Sequence, residues 1–144
     1  MEITIKITID GEEVVTKELT EKLEGVKSYS EYARFFDERC PDWTKDPEYN
    51  LSFLKLTEQK ATYKLKNDGY LFLNDVYDML GMTRTKKGQM VGWIYDIDNP
   101  DHEGDNYVDF GLYNVKSRQF INGYENIILL DFNVDGLIFD KIYN

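Results

Sequence analysis

The sequence predicts an α+β domain with an N-terminal β-hairpin, two to three helices, and then an antiparallel β-meander. Three observations predict it. Ile3, Ile5, Ile7 and Ile9 alternate with polar residues ahead of Asp10-Gly11, the pattern of a strand with one apolar face entering a tight turn. The middle of the chain carries apolar residues at helical spacing between capping residues. Beyond Gly81 the period returns to two. Strands, helices and strands in blocks, without regular alternation, indicate α+β architecture. At 144 residues and 42% hydrophobic, the chain fits one domain, 1–144, with enough apolar material for a core.

Val14 and Val15 begin the returning strand of the hairpin, and residues 20–27 read as a polar connector. Ser28 with Glu31 forms an S-x-x-E capping box, which predicts a helix from Tyr29 to Arg39 with Tyr32, Phe35 and Phe36 on its apolar face. Trp43 is expected to pin the following loop onto the core. Asp46-Pro47 then reads as an N-cap and first-turn proline. The longest helix should run from Pro47 to Lys66, with Leu51, Leu54, Ala61 and Leu65 inward and Glu58 and Lys60 outward. Asn67-Asp68-Gly69 ends it. A third helix, Leu73 to Leu80, buries Val76, Met79 and Leu80 and stops at Gly81. QMVGWIYDI, NYVDFGLYN, NIILLDFNV and LIFDKIY read as strands, with NPDHEGDN a polar hairpin loop and a helical turn at Ser117 to Asn122.

The formal net charge is −10, which repels phosphate backbones and argues against direct nucleic-acid binding. A surface of that sign is also suited to competing for a protein's DNA-binding face. Cys40 is the only cysteine, so no intrachain disulfide and no cysteine-based metal cluster forms. No apolar run approaches the ~18 residues of a membrane span, and MEITIKITID lacks a signal-peptide core. These features place the chain in a cytoplasm, away from membranes.

LLDFNVDG (129–136) matches the opening of an EF-hand loop through Asp131, Asn133, Asp135 and Gly136. Loop position twelve falls on Ile142, which offers no oxygen where calcium needs a bidentate Glu. Leu130, Phe132 and Val134 alternate with the polar residues, so the stretch reads as a strand entering an Asp135-Gly136 hairpin turn. The loop DIDNPDHEGDN offers Asp96, Asp98 and Asp105 as weak metal-ligand candidates, beside Asp101, Glu103 and the lone His102. Its spacing fits no EF-hand, and His102 lacks the companions of a zinc site. TRTKKG supplies the main basic cluster, in which Arg84, Lys86 and Lys87 are candidates for a phosphate or an acidic partner. It lacks the phosphate-loop pattern, and three cations beside a helix C-terminus are an ordinary arrangement. No catalytic motif and no cofactor fingerprint is recognisable. Eleven Tyr and eight Phe exceed what a small core hides, and exposed Tyr is characteristic of interfaces.

YARFFDERCPDWTKDPEYNLSFLK, GYLFLNDVYDMLGMTRTKKGQMVGW, YVDFGLYN and NGYENIILLDFNVDG together resemble a family of unknown function encoded by bacteriophages and prophages of Gram-positive bacteria. The resemblance spans about residues 32–142, and L-N-D-V-Y-D-x-L-G followed by R-T-x-x-G and G-W is its most specific part. It implies a small phage protein and carries no activity or site residue with it. The expectation is a non-enzymatic accessory protein that binds a host or phage protein through an acidic, Tyr-rich surface, with inhibition of a host defence or nucleic-acid enzyme as its sharpest form. The alternatives are a minor virion or assembly component, as a homo-oligomer, and a sponge or hydrolase for a small phosphorylated ligand held by Arg84, Lys86 and Lys87.

Overall fold

A computed structural model describes residues 7–9, 12–14, 30–112 and 127–142. Strands β1 (Ile7–Ile9) and β2 (Glu12–Val14) pair antiparallel, with Ile9 opposite Glu12 and Ile7 opposite Val14. The expected Asp10-Gly11 turn, the 20–27 connector, Ser28 and the turn at Ser117 to Asn122 lie outside the described residues.

Helix α1 (Pro47–Asp68) runs for 22 residues. The Asp46 carboxylate accepts from the Glu48 N–H at 3.0 Å, satisfying a donor that the first turn leaves orphaned. Gly69 closes the helix at φ 87°, a left-handed conformation open to glycine. Leu54, Ala61 and Leu65 are fully buried, the stripe expected from their spacing. Strand β4 (Tyr70–Phe72) leads directly into α2 (Leu73–Leu80), whose bounds match the sequence reading. A 3-10 turn (Lys87–Gln89) precedes β5 (Val91–Ile94). Beyond residue 127 come β6 (Ile128–Leu130), β7 (Gly136–Leu137) and the one-turn helix α3 (Phe139–Ile142).

The fold is α+β. The strands β4, β5 and β7 form an antiparallel sheet with β5 central, and β6 pairs antiparallel with β3 (Arg34–Phe36). Gly92 lies opposite Phe72 in this sheet, where an added Cβ would sit 2.0 Å from the Leu71 carbonyl oxygen. Only glycine fits there. The core joins Leu54 and Leu65 of α1, Tyr77 and Leu80 of α2, and Trp93 of β5, with Phe110 and Phe132 packed edge to face at 5.3 Å.

Five expectations give way. Residues 34–36 form β3, not the middle of a helix from Tyr29 to Arg39. Ala33, Phe35 and Phe36 are all buried, and a strand covered on both faces shows consecutive apolar residues without alternation. NYVDFGLYN contributes no strand among its described residues. Its backbone donors bond to side chains instead: Val108 N–H to Thr62 Oγ1 at 3.0 Å, Asp109 N–H to Asn133 Oδ1 at 2.7 Å, and Phe110 N–H to Glu58 Oε2 at 2.8 Å. NPDHEGDN therefore connects β5 to an irregular segment and closes no hairpin. LIFDKIY divides into the end of β7 and α3.

LLDFNVDG, finally, is not a hairpin. Its first strand, β6, pairs with β3, and its last residue begins β7, which pairs with β5. The segment crosses between two sheets, and its polar side chains anchor the crossing.

Candidate functional site

The most specific part of the sequence, from Leu73 to Trp93, is consumed in building the fold. Asn74 is buried and clamps Thr85, donating from Nδ2 to the Thr85 carbonyl at 2.9 Å and accepting the Thr85 N–H at 3.0 Å. Thr85 Oγ1 in turn accepts the Gly88 N–H at 2.9 Å. A Cβ on Gly88 would meet Asn74 Oδ1 at 2.1 Å, so glycine permits the clamp. Gly81 turns at φ 70° with its Cα against Pro41.

The three basic candidates do not converge on a ligand. Arg84 makes a two-nitrogen contact with the Asp78 carboxylate, its Nε 2.9 Å from Oδ1. That bond holds Asp78 below the ordinary carboxylate range and raises Arg84. Lys87 pairs with Glu31 and lies over the Tyr32 ring at 5.6 Å. Lys86 is exposed between them. Two of the three cations thus hold carboxylates of their own chain, an arrangement that lends no support to a phosphate cradle.

Of the weak metal candidates, Asp96 and Asp105 line one hollow and Asp98 does not. Asp96 accepts from Asn99 Nδ2 at 3.1 Å, Asp105 accepts from Asn133 Nδ2 at 3.0 Å, and Asp98 is exposed. Among the described residues no three His, Cys, Asp or Glu side chains are grouped to hold a metal ion. The loop instead rims a hollow of about 830 Å³ with Asp101, Glu103 and Lys141, floored by His102, Asn133 and Asp135. Asp135, like His102, has a side chain one-tenth exposed. Its Oδ2 accepts the Ile94 N–H at 2.9 Å, and burial raises its carboxyl above the usual range despite that bond. Gly104 lies over it, where a Cβ would come within 2.5 Å of Asp135 Oδ2.

A different surface emerges on α1. Tyr49, Leu56 and Tyr63, seven residues apart, are 48%, 51% and 74% exposed. Seven residues are nearly two helical turns, so the three side chains form one stripe with steps of roughly 10 Å. Lys55, Lys60, Lys64 and Lys66 are also exposed on this helix, and Lys64 pairs with Asp68 at 3.2 Å. Glu58, expected outward, turns instead to the Phe110 N–H. Burial raises its carboxyl, and Asp109 adds to the rise. A groove of about 400 Å³ runs beside the stripe between Tyr63 and the half-exposed Tyr107. The exposed tyrosines of α1 therefore stand among lysines. Their spacing was readable in the sequence, and the expected Leu54–Leu65 stripe already assigned the opposite face to the interior.

Among the described residues no helix is long and apolar enough to cross a membrane. In comparisons with known proteins, the model of a family described as "Family of unknown function (DUF6353)" matches residues 2–142, and so takes in the β1–β2 pair. No curated protein and no solved structure matches.

Proposed function

The chain belongs to the DUF6353 family of unknown function, and on that premise we propose that it is a non-enzymatic protein-binding module whose contact face is the Tyr49–Leu56–Tyr63 stripe of α1. One observation carries this reading: three large side chains stand exposed in register along a rigid 22-residue helix. Aromatic residues are enriched at interfaces because their area comes at low entropic cost. Helix stripes of this spacing are read by partners with apolar grooves. The lysines beside the stripe favour a partner whose rim is acidic.

The biological setting proposed with it is that of a bacteriophage or prophage accessory protein acting on a host or phage protein in the bacterial cytoplasm. The sequence resemblance supports that setting. Its sharpest form is inhibition of a host defence or nucleic-acid enzyme, for which the net charge of −10 supplies a polyanion-like surface elsewhere on the molecule.

The test is affinity purification from the expressing host, followed by reconstitution and light scattering, for the native chain and for Leu56→Asp/Tyr63→Asp. The reading expects a stoichiometric protein partner that the double variant loses while remaining folded. Capture undiminished by the variant removes the helix face from the reading. A clean homo-oligomer disrupted by the variant points to assembly, and no association of any kind ends the proposal.

A further inference from the structure

His102 is the buried polar group with no explanation in the fold. Its side chain is one-tenth exposed, and its Nε2 is shut off from solvent and makes no hydrogen bond. Buried polar atoms in native proteins almost always have partners. Asp135 Oδ2 stands 3.8 Å away, beyond hydrogen-bond reach, and the Asp135 side chain is equally buried. That oxygen accepts the Ile94 N–H at 2.9 Å, but a carboxylate oxygen has a second lone pair for another donor. The pair is thus set about 1 Å short of a charge-assisted bond.

What the pair holds is the tip of the 96–105 loop. Among the described residues, the hydrogen bonds of residues 97–104 all stay within the loop, from Asn99 to Asp96 and from Asp101 and His102 to Asn99. At the base, the Asp96 N–H donates to Asn106 Oδ1 and Asp105 accepts from Asn133. Between these ties, His102 and Gly104 both bear on Asp135, and a Cβ on Gly104 would come within 2.5 Å of its Oδ2. A neutral imidazole presents Nε2 either as a bare lone pair facing the carboxylate or as an N–H too distant to bond. An imidazolium presents a charged N–H to the same oxygen, and burial strengthens that attraction. The other charges lining the hollow are Asp96, Asp101, Glu103 and Asp105 of the loop and Lys141 of α3. All five are exposed, so water and salt screen them more than Asp135.

We propose that His102 and Asp135 form a pH-operated latch on the 96–105 loop. Protonation of the imidazole draws Nε2–H onto Asp135 Oδ2 and holds the loop down, and loss of that proton releases it. Histidine is the side chain whose charge ordinarily changes between about pH 5 and 8. Closure needs the imidazolium and the carboxylate together, so it is lost as pH rises and His102 gives up its proton. On the acid side it is lost as Asp135 takes up a proton, at a pH that burial raises while the Ile94 N–H and the His102 charge oppose the rise. The latch is separate from the helix face of α1 and stands or falls independently of it.

His102 is the chain's single histidine, so its ring resonances in NMR follow its titration without ambiguity. The full-length protein is titrated between about pH 5 and 9 at constant ionic strength. Hydrogen exchange of residues 96–105, corrected for the intrinsic rate, follows the loop over the same range. Protection of the loop relative to α1 should fall by about threefold or more as the His102 ring loses its proton. His102→Gln should abolish that fall, as should Asp135→Asn, which keeps an acceptor for the Ile94 N–H. Asp101→Asn/Glu103→Gln should retain it. Loop protection indifferent to the His102 titration, a ring that does not titrate in this range, or a fall that persists in His102→Gln would each overturn the proposal. If a variant does not fold, the native chain's ring titration against loop protection still tests the latch.

Discussion

The indole Nε1 of Trp93 donates to Asn133 Oδ1 at 2.9 Å, tying the fully buried centre of β5 to the crossing between the two sheets. The same oxygen accepts the Asp109 N–H at 2.7 Å, while Nδ2 donates to Asp105 Oδ2 and to the Tyr107 carbonyl, each at 3.0 Å. Every hydrogen-bonding position of the amide is used. Asn133→Asp keeps the shape and the acceptor but turns both donors into an oxygen facing the Asp105 carboxylate. It is expected to cost about 2–4 kcal/mol at pH 7. The introduced carboxyl is protonated more readily in the folded state than in the unfolded one, so the deficit shrinks as pH falls. Urea unfolding at pH 7 and pH 4 measures both effects, and a variant as stable as the parent at pH 7 would contradict the role given to Asn133.

Asn74 and Arg84 make comparable numbers of contacts but differ in burial. Asn74→Ala exposes nothing to water and leaves both backbone groups of Thr85 without partners, at a cost of about 2 kcal/mol. Arg84→Ala removes a pair whose side chains are 61% and 46% exposed, so the loss should stay below about 1 kcal/mol. For a chain of this size the first change lowers Tm by about 4–8 °C. A larger loss from Arg84→Ala than from Asn74→Ala would reverse this ranking.

Gly92→Ala places a Cβ against the Leu71 carbonyl, a backbone atom that cannot rotate away. The β4–β5 pairing must shift, with an expected loss of about 3 kcal/mol. Gly69→Ala meets no neighbouring atom but carries φ 87°, and should cost about 1 kcal/mol through backbone strain alone. Thermal unfolding of the two variants separates steric from conformational roles of glycine.

Glu58 titrates against the usual direction for a carboxylate. Burial, with Asp109 beside it, raises its folded value above 4.5 even though the Phe110 N–H opposes the shift. The folded state then binds the proton more readily than the unfolded state. Its contribution to stability falls as pH rises from the unfolded value through the raised folded value. Glu58→Gln keeps an acceptor for Phe110 without the charge, so its Tm at pH 7 should exceed the parent's by a few degrees. The gap should close below pH 4.5, and a gap that widened on acidification would show that Glu58 stabilises as an anion.

The exposed stripe predicts a dissociation between stability and association. Leu56→Asp/Tyr63→Asp alters two side chains that are at least half exposed, and such surface changes usually stay within about 0.5 kcal/mol each. Unfolding midpoints should therefore match the parent while partner capture is lost. A variant that unfolds early would show the two side chains serving the fold.

Local chemistry settled several elements from the sequence alone. Asp46-Pro47, Gly69 and Gly81 marked the ends of α1 and α2 because caps act within a few residues of themselves. The 3.6-residue spacing of Leu54, Ala61 and Leu65 fixed the buried face of α1. Membership of a family of unknown function was expected from stretches such as LNDVYDML. Residues 34–36 were not legible as a strand, because the Phe35-Phe36 pair suits a helix equally well until β6 pairs with it. Nor was the fate of Asp131, Asn133 and Asp135, since alternation looks the same in a hairpin and in a crossing anchored by side chains.

What the sequence determined by itself is the helical frame, the α+β class and the acidic balance of the surface, all set by composition and short-range pattern. What only the tertiary structure decided is which polar side chains are free to meet another molecule. Arg84 and Lys87 proved to hold Asp78 and Glu31, Glu58 and Asn133 to hold the 109–110 backbone, and His102 Nε2 to lie buried near Asp135 without a hydrogen bond. Those pairings join residues up to 56 positions apart, and a side chain's availability depends on contacts that no local window contains.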